Sequence, residues 1–367
     1  MHDLHERYAA ASKNAQRQVF GHRRRTPAEV FTQLAQVCTE LGIDEWDTYG
    51  DGGAVTLLEE EVADLLGKPA AAFFPSGTMG QQAILRVWAE EAGTKRVALP
   101  ALSHLLVHEL DGPRLLHGFE FVQLCTGRRV PNSADLDAHA TRLAAVLVEV
   151  PLRDAGCLVE PWADFLELAA AARARGIRVH VDGARLWEVA AYLDQPPAQL
   201  VAPADSVYVS FYKGLGGSAG AAVASSAEAI AQARQWRKRM GGTLARLTPY
   251  AVGGLLGLRT HLPRMVDYLA WARDLAVALE GQGFRVNPAA PQGNTFEVYA
   301  DVSPEMVNER LLDFAARTGT LLSRPWGATD VPGHSRAELV VLAPALDFDA
   351  EVVARWLAEC AFGGAER

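Results

Sequence analysis

A chain of 367 residues, 49% hydrophobic and 22% charged, has enough apolar material for one large or two medium cores and the composition of a folded globular protein. Its formal charge of −9 argues against nucleic acid or an anionic membrane as the main partner, while leaving room for a local anion site. The N-terminus carries no apolar signal core, no run of about 18 apolar residues occurs, and Cys38, Cys125, Cys157 and Cys360 show no CxxC or Cys/His metal spacing, so a cytoplasmic, metal-free protein with reduced thiols is expected.

Residues 1–26 are polar and end in His22-Arg-Arg-Arg25-Thr26, which reads as a solvated arm. Thr26-Pro-Ala-Glu starts a helix that turns Val30, Phe31, Leu34, Val37 and Cys38 inward. Asp47-Thr-Tyr49-Gly50-Asp51-Gly-Gly is a loop, and residues 55–67 form an amphipathic helix stopped by Gly67.

Residues 70–74 read as a buried strand that runs into Pro75-Ser76-Gly77-Thr78-Met79-Gly80 and a helix from about 81 to 91. Strand, small-residue turn, helix is a geometry that aims backbone N–H groups at an anion, with the Ser76 and Thr78 hydroxyls adding donors. The spacing is neither GxGxxG nor Walker A, so a monophosphate suits it better than a dinucleotide; a plain helix cap is the alternative.

A strand at 97–99, closed by Pro100, precedes a helix opening near His104, which shares a face with His108 four residues on. A histidine at such a junction can lie against an aromatic cofactor ring, or be no more than a surface histidine. Residues 143–148 form a continuous apolar run, the mark of a doubly covered parallel strand, and lead into a candidate site loop from Glu149 to Gly156. A helix at 162–175 and a strand at 177–181 follow, ending in Asp182-Gly-Ala-Arg185-Leu-Trp187. An aspartate at a strand end can keep a ring nitrogen protonated, and Arg185 can neutralise a phenolate or carboxylate; alternatively the two form an ion pair capping a helix.

The β-favouring residues 207–211 run almost straight into Lys213-Gly-Leu-Gly-Gly217. A lysine at the end of a buried strand can lose its charge by desolvation and become a nucleophilic amine, able to form a Schiff base with a carbonyl such as that of pyridoxal phosphate; the alternative is a lysine that only caps the strand end beside the turn. The chain has only five lysines against thirty arginines, and Lys13, Lys68, Lys95 and Lys238 lie in polar or loop-like surroundings. Beyond Gly220 come another strand, an Arg-rich helix at 226–240, a break at Gly241-Gly242-Thr243, and helices at 249–256 and 265–279. Strands at 283–287, 294–301, 318–324 and 338–342, with helices near 304–317 and 349–361, complete a smaller unit. The expected class is α/β with this organisation: 1–45 an N-terminal arm and helix, 46–260 a large cofactor-binding domain, 261–367 a small C-terminal α+β domain.

Taken together, Tyr49-Gly-Asp51, Pro75-Ser-Gly-Thr-Met-Gly80, His104, His180-Val-Asp-Gly-Ala-Arg-Leu186 and Lys213-Gly-Leu-Gly216 resemble the low-specificity threonine aldolases, in the β-eliminating lyase group of fold-type-I pyridoxal phosphate (PLP) enzymes, over about residues 45–260. The resemblance implies an aspartate aminotransferase-like large domain with a mostly parallel seven-stranded sheet. It implies that Lys213 holds pyridoxal 5'-phosphate, Asp182 pairs with its ring nitrogen, His104 stacks on the ring, Ser76, Gly77 and Thr78 bind the phosphate, and Arg185 sits beside the ring oxygen and substrate carboxylate. It further implies a homodimer or homotetramer, with Tyr49, Asp51 and the 241–246 turn contributing across an interface and Arg246 a displaced phosphate contact.

The implied reaction cleaves a β-hydroxy-α-amino acid such as L-threonine or L-allo-threonine to glycine and an aldehyde. The chain departs from the family's pattern in having Pro151-Leu152-Arg153-Asp154 where the family's loop has a histidine, and Val341 where it has an arginine for the substrate carboxylate. Arg23, Arg24, Arg25, Arg324 and Arg336 are the candidates to supply that charge. A PLP-dependent β-eliminating lyase or aminotransferase, and a catalytically silent PLP-binding homologue, stay open beside the aldolase.

Overall fold

The computed structural model describes residues 2–159 and 161–363, which group into two compact units: 25–263, and the residues up to Arg24 with those from Arg264 onward. In the larger unit the strands are β1 (Ala70–Phe74), β2 (Arg96–Leu99), β3 (Glu120–Gln123), β4 (Ala145–Glu149), β5 (Arg178–Gly183), β6 (Ser206–Ser210) and β7 (Ala221–Ser225). They form one sheet in the order β1-β7-β6-β5-β4-β2-β3. Only β7 runs antiparallel to its neighbours. The expected α/β class with a mostly parallel seven-stranded sheet is thus the class observed, and β4, β6 and β7 are buried along their whole length, as runs made mostly of apolar and small residues allow; β4 ends in a buried charged residue, Glu149.

The helices of this unit are α1 (Pro27–Leu41), α2 (Gly53–Leu66), α3 (Gly77–Ala92), α4 (Trp162–Ala174), α5 (Leu186–Leu193), α6 (Ala227–Arg239) and α7 (Thr248–Thr260), besides shorter turns. Thr26 and Glu29 close a capping box on α1, yet of its expected inward residues only Val37 is buried, and Phe31 is exposed. Helix α3 begins four residues before the expected start, because the Ser76 side chain accepts from the Met79 amide and caps it. The core between α3, α6 and the sheet holds Phe74, Ile84, Leu85, Leu99, Leu147 and Val223, all fully buried. Side chains of that size each contribute roughly 1.5–3 kcal/mol by leaving water.

The smaller unit has a four-stranded antiparallel sheet, β10-β11-β9-β8, made of β8 (Arg285–Asn287), β9 (Thr295–Ala300), β10 (Gly327–Ala328) and β11 (Ser335–Val340). It carries helices Met265–Gly281, Pro304–Thr318 and Ala350–Phe362. The solvated arm expected at the N-terminus is instead a helix, His2–Asn14, whose buried Tyr8 donates to Asn308 at 3.1 Å while Arg7 pairs with Glu309. Arg17–Gln18 then pairs in parallel with Thr320–Leu321. No helix among the described residues is long and apolar enough to cross a membrane.

Candidate active site

The register of the parallel strands sets Glu149 of β4 beside Asp182 of β5, and Asp182 beside Tyr208 of β6. These rungs lie toward the carboxyl ends of the strands, where an open α/β sheet gathers its reactive groups. Three residues beyond β6 comes Lys213, in a tight turn closed by Gly216 N–H donating to the Lys213 carbonyl at 3.1 Å and Gly217 N–H to the Phe211 carbonyl at 2.7 Å. Gly217 has no room for a side chain, since a Cβ there would lie 2.8 Å from the Phe211 oxygen. Burial first, then the Arg185 charge, draws the Lys213 amine below the usual lysine range, opposed by Asp182; Arg153 and Glu149 follow with opposite signs.

Asp182 is buried and each of its oxygens accepts one hydrogen bond, Oδ2 from Gln81 Nε2 at 2.8 Å and Oδ1 from the Ala184 amide at 3.1 Å, which leaves lone pairs for a further donor. Gln81 lies in the first turns of α3, so one hydrogen bond ties Asp182 to the helix that starts at the serine–glycine–threonine turn. Tyr208, beside Asp182 in the sheet, packs against the same helix start, where a Cβ on Gly77 would lie 2.1 Å from the Tyr208 hydroxyl oxygen. At the same helix start the Gly77 and Thr78 amides meet no acceptor among the described residues.

Oε1 of the Glu149 carboxyl group accepts from the backbone N–H of His104. Burial, with the Asp182 charge second, pushes the Glu149 carboxyl up to about 8. The His104 ring packs 5.0 Å from that of His108, and its Nδ1 lies 3.6 Å from Glu109 Oε1. The helix at this point is a single turn, His104–Val107. From the loop after β4, Asp154 reaches His108, Oδ2 to Nε2 at 2.6 Å, and Arg153 Nη1 stands 3.4 Å from the same nitrogen. Arg185 precedes α5, its charge acting on Lys213 and on buried Glu188, whose carboxyl burial pushes up.

Of the residues singled out in the sequence, Lys213, Asp182 and Arg185 come together at one sheet end, His104 joins them through Glu149, and Ser76, Gly77 and Thr78 through Gln81 and Tyr208. Arg246 is committed elsewhere, donating to the Asp47 and Ala245 carbonyls at 2.9 and 2.8 Å. Tyr49 is exposed, and its amide donates to the Ala245 carbonyl at 3.3 Å. In the smaller unit Arg336 donates to Glu297 at 3.0 Å and Val341 is buried. Gln81 and Tyr208 are not marked as site members in the sequence; His108 and Asp154 lie in stretches that are, the helix opening at His104 and the 149–156 loop, but their pairing is visible only in the structure. A signal existed for Gln81, a polar residue that repeats one helical turn after Gly77 on a face otherwise apolar.

A family model described as beta-eliminating lyase matches residues 32–302. The chain belongs to that family. It is 29% identical over 297 residues to low-specificity L-threonine aldolase 1 of Arabidopsis thaliana, across 76% of this chain and 80% of the relative. A crystal structure from Exiguobacterium sp. 255-15, named for aromatic amino acid beta-eliminating lyase/threonine aldolase, superposes with TM-score 0.90 at 32% identity, covering 96% of this chain and 99% of that one. Another, from Listeria monocytogenes EGD-E and named for L-allo-threonine aldolase, also gives 0.90, at 29% identity over 98% of this chain and 99% of that one. Like its family, the chain is a PLP-dependent lyase of fold type I.

The site's donor set fits that cofactor on its own terms. Two unpaired amides and two hydroxyls at a helix start suit a phosphate, a buried carboxylate already oriented by two donors suits a protonated ring nitrogen, and an amine of lowered basicity suits condensation with an aldehyde. When bound, PLP supplies that aldehyde and a conjugated ring that withdraws electrons from the amino acid's α-carbon.

Proposed function

We propose that this lyase cleaves the Cα–Cβ bond of a β-hydroxy-α-amino acid, such as L-threonine or L-allo-threonine, to glycine and an aldehyde. The observation that carries the reading is the convergence, at one end of one sheet, of an amine of lowered basicity with a buried, doubly bonded carboxylate and an open helix start. The names of the relatives, low-specificity L-threonine aldolase and L-allo-threonine aldolase, support the substrate class.

In this reading Lys213 is the covalent anchor and Asp182 keeps the ring nitrogen protonated. Ser76, Gly77 and Thr78 hold the phosphate, the His104 ring covers the cofactor face, and Arg185 orients the ring oxygen and the substrate carboxylate. Asp182 does so without reorganising, because Gln81 and the Ala184 amide already fix both of its oxygens. The working form is a homodimer or homotetramer, and its compartment is the cytoplasm. Incubating the purified holoenzyme with L-threonine, L-allo-threonine and 3-phenylserine is expected to give equal amounts of glycine and the matching aldehyde. Ammonia with a 2-oxo acid, and no glycine, would instead make the protein a β-eliminating enzyme.

A further inference from the structure

We propose that His108, held by Asp154, is the general base that takes the proton from the substrate's 3-hydroxyl group. The inference rests on the aldolase reading. Cleavage requires the hydroxyl O–H to break as its electron pair becomes the second C–O bond of the aldehyde, while the Cα–Cβ pair stays on the α-carbon. That carbon later gains a proton to become glycine, so the proton lost from oxygen is balanced and no oxidant is needed.

The groups at this end of the sheet are few, and most are spoken for. Both oxygens of Asp182 accept from other groups. Glu149 is buried, accepts from the His104 amide and holds its proton at neutral pH. Glu188 is buried with its carboxyl pushed up. His180 is sealed inside the sheet, with Nδ1 on Ser206 Oγ at 2.8 Å and its affinity for a proton lowered by burial to about 4. Glu109 is held by Gln82 Nε2 at 2.9 Å and lies beside His104 Nδ1.

His108 differs from all of these, since its side chain is 36% exposed and one ring nitrogen has a carboxylate partner at 2.6 Å. With Nε2–H donated to Asp154, the lone pair is on Nδ1, and the pairing both fixes the tautomer and stabilises the cation formed on proton transfer. Arg153, 3.3 Å from Asp154 Oδ1 and electrostatically coupled to Lys213, joins the pair to the anchor lysine. Asp154 is then a positioning residue.

The test compares two rates on one holoenzyme preparation: aldehyde release from L-allo-threonine, and exchange of glycine's α-proton for deuterium followed by NMR, which needs no hydroxyl base. His108→Phe and His108→Gln are expected to lower the ratio of cleavage to exchange about 100-fold. Asp154→Asn is expected to lower it by a smaller factor and to remove the Nε2-protonated tautomer from the ¹⁵N spectrum of the His108 ring. An unchanged ratio in both His108 variants would overturn the assignment even with the aldolase reading intact. A wild-type holoenzyme that exchanges glycine but cleaves no 3-hydroxy amino acid would defeat the aldolase reading itself.

Discussion

Asp47 and Glu149 are both buried carboxyl groups of the larger unit, yet their surroundings push them opposite ways. Asp47 takes the Leu247 and Thr248 amides at 2.8 and 2.7 Å and the Thr248 hydroxyl at 2.7 Å on one oxygen, and the Gly50 amide at 3.0 Å on the other. Burial raises its carboxyl, but these four donors outweigh burial and hold it below the usual range. Glu149 has fewer donors, the His104 amide and the Ser103 side chain, and a second carboxylate beside it, so burial wins and its carboxyl rises to about 8. A buried charge surrounded by donors is a clamp, here between the 47–51 loop and the start of α7. A buried carboxyl left beside another charge and near a lysine marks a place where protons and ligands are handled.

The largest effect expected from breaking this contrast is at the strand-end cluster. Asp182→Asn removes the negative charge while keeping the size of the side chain, and is expected to slow turnover by about 10²–10³-fold, read in steady-state kinetics. Unchanged turnover would separate Asp182 from the chemistry. Next comes the clamp: Asp47→Ala leaves three amides and a hydroxyl without their acceptor and is expected to destabilise the larger unit by about 3 kcal/mol in denaturant unfolding. A loss well under 1 kcal/mol would mean that the loop is held by other contacts.

The smallest effect is one of pH. Asp47, held low, contributes stability that is complete above about pH 4 and is lost as pH falls through its native value. Glu149 works with the opposite sign, because the folded protein keeps a proton that the unfolded chain releases near pH 4, so its contribution declines as pH rises from there to about 8. Glu149→Gln is therefore expected to flatten the fall in melting temperature of the cofactor-stripped protein between pH 5 and pH 8.5. An undiminished fall would place the titrating group elsewhere.

Most of the strand-and-helix alternation was legible because doubly covered strands are continuous apolar runs, as at 143–148 and 207–211. The edge strand β3 was not, since Glu120 and Gln123 flank only two apolar residues at a place where one side of the ladder is unpaired. The N-terminal helix was hidden by its polarity; what holds it is tertiary, through Tyr8 with Asn308 and Arg7 with Glu309, about 300 residues away in sequence. Likewise, residues 320–321 read as part of a sheet strand but pair with Arg17–Gln18 instead. At the site, Lys213, Asp182 and the Ser76–Thr78 turn announce themselves by standing at strand ends. Gln81 and Tyr208 carry no such mark, and the pairing of Asp154, itself in the marked 149–156 loop, with His108 follows only from which strands are neighbours.

The central claim is that Lys213 carries the cofactor, and borohydride reduction of the holoenzyme followed by peptide mapping tests it most directly. The account predicts a pyridoxyl group on Lys213 alone among the five lysines, and none after Lys213→Ala. A pyridoxyl group found on Lys13, Lys68, Lys95 or Lys238 of the wild-type protein would contradict it.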